Sequence, residues 1–192
     1  PTHLFSSAAS DVYKRQSIDS TGEGLHKRGY KSSTGKAPMR ETLAAAFLRM
    51  CKFDPSQPLI DPMCGSGTFV IEAAEIAVGQ APGKRRVFSF QKFKSFDSRA
   101  FEMLFLDKNK ITKVELHLLG YDRDTGAIKN SRQNAQRANV SNITSFNHQP
   151  ISDLVPLSNQ CGLIIFNPPY GARIGDKKKL YALYAKIGTV LK

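Results

Sequence analysis

Two short stretches of this chain carry residue types that can do chemistry. The first is Leu59-Ile60-Asp61-Pro62-Met63-Cys64-Gly65-Ser66-Gly67-Thr68, where an apolar pair runs into an acid and then a glycine-punctuated turn. Gly65 and Gly67 permit positive φ and let a ligand lie against bare main chain. Val70, Ala73, Ala74 and Ala77 follow at helical spacing, so a helix start offers unpaired N–H groups beside the turn. The second stretch is Leu163-Ile164-Ile165-Phe166-Asn167-Pro168-Pro169-Tyr170-Gly171, an apolar run ending in an amide, two prolines and an aromatic. Each has an ordinary alternative. Glycines serve many strand-to-helix turns for geometry alone, and Asn-Pro-Pro-Tyr can be a simple turn after a strand. The loop matches neither the Gly-x-x-x-x-Gly-Lys-Ser/Thr phosphate cradle nor Gly-x-Gly-x-x-Gly.

The elements that must position these stretches alternate strand and helix. A second apolar run, Leu116 to Tyr121, ends at Asp122 and Asp124, with Ile128, Ala135 and Ala138 on the helix after it. A third strand is expected near Ile143–His148, a fourth at Leu163–Phe166, and a closing helix has its apolar face at Leu180, Leu183, Tyr184, Ile187, Val190 and Leu191. This order predicts an α/β fold, a doubly wound Rossmann-like sheet. An acid at the end of the second strand is placed to accept hydrogen bonds from a ribose diol, which selects Asp122, while Asp124 can cap the helix. The interval from Gly67 to Asp122 exceeds the usual roughly 20 residues, and an insertion at 79–110 accounts for the excess. In it Phe88, Phe90, Phe93 and Phe96 lie among Lys84, Arg85, Arg86, Lys92 and Lys94. Such a mixture can neutralise phosphates and stack on unpaired bases, or form a small satellite core with a solvated rim. Upstream, Pro38 suits a helix entry and Leu43, Ala46, Phe47 and Met50 make an apolar stripe.

The chain has 192 residues, enough for one α/β domain or a piece of a larger one. With 28 basic and 16 acidic residues, the net charge of +12 suits a polyanionic partner, or else a merely soluble basic surface. No apolar run reaches the length of a membrane span, and no secretory signal pattern is visible. Cys51, Cys64 and Cys161 are odd in number and far apart, which indicates neither a disulfide framework nor a zinc site and points to a reducing cytoplasm. Residues 1–16 have no clear periodicity and resemble translated sequencing-adapter read-through, so they are set aside as a non-native leader.

Together the glycine loop and Asn-Pro-Pro-Tyr resemble the amino-methyltransferases that use S-adenosylmethionine (SAM). His26-Lys27-Arg28-Gly29-Tyr30, followed by Ala37-Pro38-Met39-Arg40-Glu41-Thr42-Leu43-Ala44-Ala45, narrows the resemblance to the THUMP-associated, large-subunit ribosomal RNA guanine-N2 methyltransferases. It implies cofactor contacts at Asp61, Met63, Cys64, Gly65, Ser66, Gly67, Thr68, Asp122 and Arg123, and a wall around the methionine end at Arg40 and Glu41. The alternative for Glu41 is a first-turn acid favoured by the helix dipole. Transfer itself is expected at Asn167, Pro168, Pro169 and Tyr170, with no metal. Asn167 and the Pro168 carbonyl would accept the two hydrogens of an exocyclic amine, and Tyr170 would stack on the base. RNA contacts fall to Arg85, Arg86, Arg173 and Lys177. Two positions depart from the family pattern. The acid that binds the adenine amino group is replaced by Gln149-Pro150-Ile151-Ser152-Asp153, and Arg123 stands where an apolar residue often packs on the adenine. Four strands are counted where the complete fold has seven. This implies that 17–192 is a partial domain ending after the fourth strand and its helix, with an unpaired edge and low stability. The rivals are a transfer RNA guanine-N2 enzyme, a DNA adenine-N6 enzyme and a noncatalytic RNA-binding module.

Overall fold

The computed structural model describes residues 17–31, 39–106, 116–155, 161–169 and 177–192. The expected leader, Pro38, Tyr170 and Arg173 lie outside them, and the side chain of Lys177 is likewise not described. Helix α1 (Glu41–Met50) precedes strand β1 (Leu59–Asp61) and helix α2 (Thr68–Ala77). The insertion holds helix α3 (Ser98–Leu106); then come β2 (Leu118–Asp122), α4 (Thr125–Arg137), β3 (Thr144–His148), β4 (Leu163–Ile164) and α5 (Lys177–Val190). The four strands form one parallel sheet in the order β3-β2-β1-β4. Parallel neighbours need crossover connections, and α2 and α4 lie in two of the segments that supply them. The result is the expected α/β doubly wound arrangement.

The core lies where α1, α2 and α4 cover this sheet. Leu59, Val70, Ile71, Leu118 and Phe146 are buried together with Leu48 and Tyr30. Burying each such side chain fully stabilises by about 1.5–3 kcal/mol. Helix α2 is buried from Thr68 to Glu75, so its start, next to the glycine loop, cannot drift.

Two local expectations are corrected and one open alternative is decided. Helix α1 buries Glu41, Ala44 and Leu48, whereas Leu43, Phe47 and Met50 are 45%, 37% and 76% exposed. Ala44 allows close approach to α2, and Glu41 enters the interior because Lys31 lies 3.4 Å away to compensate it. Of the two alternatives for the insertion, the satellite core is the one found: the Phe88–Phe90 ring centroids are 5.1 Å apart and Phe90–Phe101 5.5 Å. Phe93 remains exposed. Strand β4 is shorter than its apolar run, although the Ile165 N–H still donates to Ile60 O at 3.0 Å.

Candidate active site

Because the strands are parallel, β1, β2 and β4 all lead toward one end of the sheet, where ligands of doubly wound proteins bind. Asp61 ends β1 and Asp122 ends β2, while Asn167 lies three residues after β4. The glycine loop turns between Asp61 and α2. Gly67 has φ 80°, and a Cβ there would stand 2.9 Å from Phe146 and Ser131, so the position is closed to a side chain twice over. Gly65 has φ 54° with nothing within 4 Å of the Cβ position, so it presents bare main chain to open space.

The Gly65 N–H donates to Asp122 Oδ2 at 2.9 Å, and the Asp124 N–H donates to Asp122 Oδ1 at 2.9 Å. Each oxygen keeps acceptor capacity, because an ionised carboxylate has about four lone-pair sites. Asp124 in turn accepts from Gly126 N–H at 2.7 Å and caps α4, so the cap falls to Asp124 and leaves Asp122 at the cavity. Asp61 is 2% exposed and accepts from the Met63 N–H at 3.1 Å. Burial raises its pKa to about 8, and the charge of Asp122 adds to the effect. Burial also pushes the Cys64 thiol well up, which leaves it neutral and unreactive.

Between these strand ends lies a cavity of about 390 Å³. Its floor is Pro62, Met63, Asp122 and Arg123. Pro150, Ile151 and Ser152 form one wall, and Asn167 and Pro169, with Leu183 and Lys186 of α5, form the other. Small-molecule sites occupy about 300–1,000 Å³ and combine apolar surface with a few convergent polar groups, as here. Of the expected residues, Met63, Asp122, Arg123, Asn167 and Pro169 meet in this cavity. Asp61, Cys64, Gly67 and Thr68 shape the loop behind it, Gly65 anchors Asp122, and the Ser66 carbonyl accepts from Asn134 Nδ2 at 2.9 Å. Pro168 joins the two lining residues Asn167 and Pro169.

The adenine-side expectation resolves differently. Gln149 Nε2 donates to Asp153 O at 2.9 Å, and Asp153 Oδ1 accepts from Ser152 Oγ at 2.8 Å, so these two side chains serve the turn. Pro150, Ile151 and Ser152 between them reach the cavity instead. Sequence reasoning missed them, together with Pro62, Leu183 and Lys186. Leu183 had been placed on the apolar face of the last helix, but only the packing of α5 over the 151–153 turn turns that face into a cavity wall.

The basic residues around α2 also take a structural role. Arg28 pairs with Glu72 at 3.4 Å, and the Tyr30 hydroxyl donates to the same carboxylate at 3.2 Å. Burial outweighs these partners and pushes Glu72 up to about 7. Arg85 pairs with Glu75 and donates to Ala138 O at 2.7 Å. Arg86 donates to Gly24 O and Lys27 O, each at 2.8 Å, and to Glu23 O. These contacts tie both guanidinium groups to the fold, and the Arg85 charge is already compensated by Glu75. Arg40 is exposed ahead of α1, Glu41 is held by Lys31, and neither lines the cavity.

Known proteins share this arrangement. The ribosomal RNA large subunit methyltransferase K/L of Vibrio campbellii is 41% identical over 182 residues, which are 91% of this chain and 26% of that protein. The chain thus spans about a quarter, 26%, of the length of such curated relatives. The crystal structure of SMU.472 complexed with S-adenosylhomocysteine (SAH) is 34% identical, with a TM-score of 0.82 over 90% of this chain and 45% of that one. A protein from Listeria monocytogenes, named a predicted N6-adenine-specific DNA methylase, is also 34% identical with a TM-score of 0.82, over 90% of this chain and 46% of its own. The family model UPF0020, RMKL-like, methyltransferase domain, matches residues 28–192, from the arginine that pairs with Glu72 through both cavity-forming stretches, and the chain belongs to that family.

Proposed function

We propose that this chain transfers a methyl group from SAM to the exocyclic N2 amine of a guanine in large-subunit ribosomal RNA. The observation that carries the reading is the meeting of Asp122 and Asn167, distant in sequence, in one cavity. The residues fit the cofactor: Asp122 is held by two main-chain N–H groups with lone pairs to spare, Gly65 leaves open space beside it, and Pro150, Ile151 and Leu183 offer apolar walls for a purine. SAH in the SMU.472 structure supports the same choice. When bound, SAM supplies a charged, activated methyl group.

The chain's part is orientation. An exocyclic amine on guanine is a poor nucleophile because its lone pair is delocalised into the ring. The Asn167 side-chain carbonyl accepts one amine hydrogen and the Pro168 main-chain carbonyl the other, which favours a pyramidal nitrogen with its lone pair aimed at the methyl. Two consecutive prolines hold both acceptors rigid. The nitrogen gains the methyl and loses one proton to solvent. Positioning of this kind supplies much of the rate, with Tyr170 assigned to stacking on the extruded base.

The name of the Vibrio relative favours ribosomal RNA, while the Listeria name favours adenine N6 in DNA as the second reading, and the same acceptor pair would serve that amine. The deciding experiment is labelled-methyl transfer by the intact enzyme to unmodified ribosomal RNA, transfer RNA and DNA, followed by mass spectrometry of the nucleosides. N2-methylguanosine in ribosomal RNA is expected. N6-methyladenine in DNA would keep the role of Asn167 and overturn the substrate.

A further inference from the structure

A second concavity, of about 310 Å³, runs along α4 at the β3 edge of the sheet. Lys129, Arg132, Gln133 and Gln136 of α4 line it, and His148 stands at its end. All five are exposed, and all carry nitrogen donors. None of the residues lining it is acidic, and α4 itself contains no Asp or Glu from Thr125 to Arg137. Arg132 is pre-set rather than free to swing: its Nε donates to Phe146 O of β3 at 2.9 Å and its Nη2 at 2.5 Å. One hydrogen bond links the groove to the active-site cavity. His148 Nε2 lies 2.9 Å from the Arg123 carbonyl oxygen, and Arg123 is part of the cavity floor.

We propose that this groove is an RNA-backbone track that leads the substrate strand to the active-site cavity, an inference that rests on the RNA reading above. Lys129 and Arg132 neutralise phosphodiester groups, and the Gln133 and Gln136 amides donate to phosphate or 2′-hydroxyl oxygens. The contrast with Arg85 is the reason for choosing this surface. There a glutamate already compensates the cation, whereas here no lining carboxylate competes with an incoming phosphate.

The test pairs a charge-reversed double variant, Lys129→Glu with Gln133→Glu, with the unaltered enzyme. Binding of a fluorescein-labelled fragment of large-subunit ribosomal RNA is followed across a salt series, and SAM affinity is measured in parallel. The variant is expected to bind RNA about tenfold more weakly, with a slope of log affinity against log salt shallower by about one, and with SAM affinity unchanged. Lys129→Arg should bind like the parent. Should the double variant lose its cooperative thermal transition, Lys129→Gln alone removes the same phosphate-neutralising charge and reads the same slope. RNA affinity and slope unchanged in the reversed variant, while the parent binds RNA, would make the groove a solvated face and overturn the track without touching the proposed function. No RNA binding by the parent, together with methyl transfer to DNA, would overturn both.

Discussion

The strand-end cavity and the seam beneath α2 are built on the same helix and sheet: the seam contains buried carboxylates, and the cavity has the half-buried Asp122 with the buried Asp61 behind it. In the seam Glu72 faces Arg28, Glu75 faces Arg85 and Glu41 faces Lys31, so that the polar groups consume one another. In the cavity region, among the described residues, no ion pair reaches Asp61 or Asp122, whose hydrogen bonds come from main-chain N–H groups alone. Acceptor capacity left unused by the protein is what marks a place for a ligand, while compensated charge marks a joint. Substitutions should therefore separate the two regions: seam variants lose stability, and cavity variants lose chemistry.

The largest effect is expected at Glu75→Ala, which strands the partly buried Arg85 and should cost about 3 kcal/mol in urea unfolding, with transfer per folded molecule unchanged. An unaltered midpoint would erase the distinction from the structural side. Asn167→Ala should lower kcat by about 100- to 1,000-fold while SAM affinity stays near that of the parent. Equal turnover would remove the proposed role of the amide. Asp122→Ala is expected to weaken SAM binding by about tenfold or more, through loss of charge-assisted hydrogen bonds to the ribose; calorimetry that finds the same dissociation constant would show that the ribose lies elsewhere.

A pH titration sharpens the comparison further. Asp61, pushed up to about 8, and Glu72, pushed up to about 7 with Arg28, Tyr30 and Glu75 around it, stay protonated in the folded chain after the unfolded chain has released those protons near pH 4. The folded state then binds more protons than the unfolded state, so stability falls as pH rises from about 5 to 8 and levels off above that. Thermal midpoints should follow this course, and Asp61→Asn should flatten it between pH 7 and 8; an identical curve would mean that Asp61 does not hold that proton. The smallest effect belongs to Asp124→Ala, which removes the α4 cap for about 1 kcal/mol and should leave SAM affinity alone, since the ribose role is proposed for its neighbour.

The sequence by itself determined the strand order along the chain, the loop that needs Gly65 and Gly67, Asp124 as the cap of α4, and the placing of Asp122 and Asn167 after the ends of their strands. These are local properties: an apolar run, a φ that only glycine tolerates cheaply, and an acid placed one residue before a helix. Tertiary structure alone decided which cations are spent and which are offered. Arg85 and Lys129 look alike in the sequence, but one meets Glu75 and the other lines a groove without carboxylates. It likewise decided that α1 turns Ala44 inward and Phe47 outward, and that Leu183 and Lys186 wall the cavity. Compensation and burial depend on which distant segments meet, and the spacing of residues along one segment does not encode its partner.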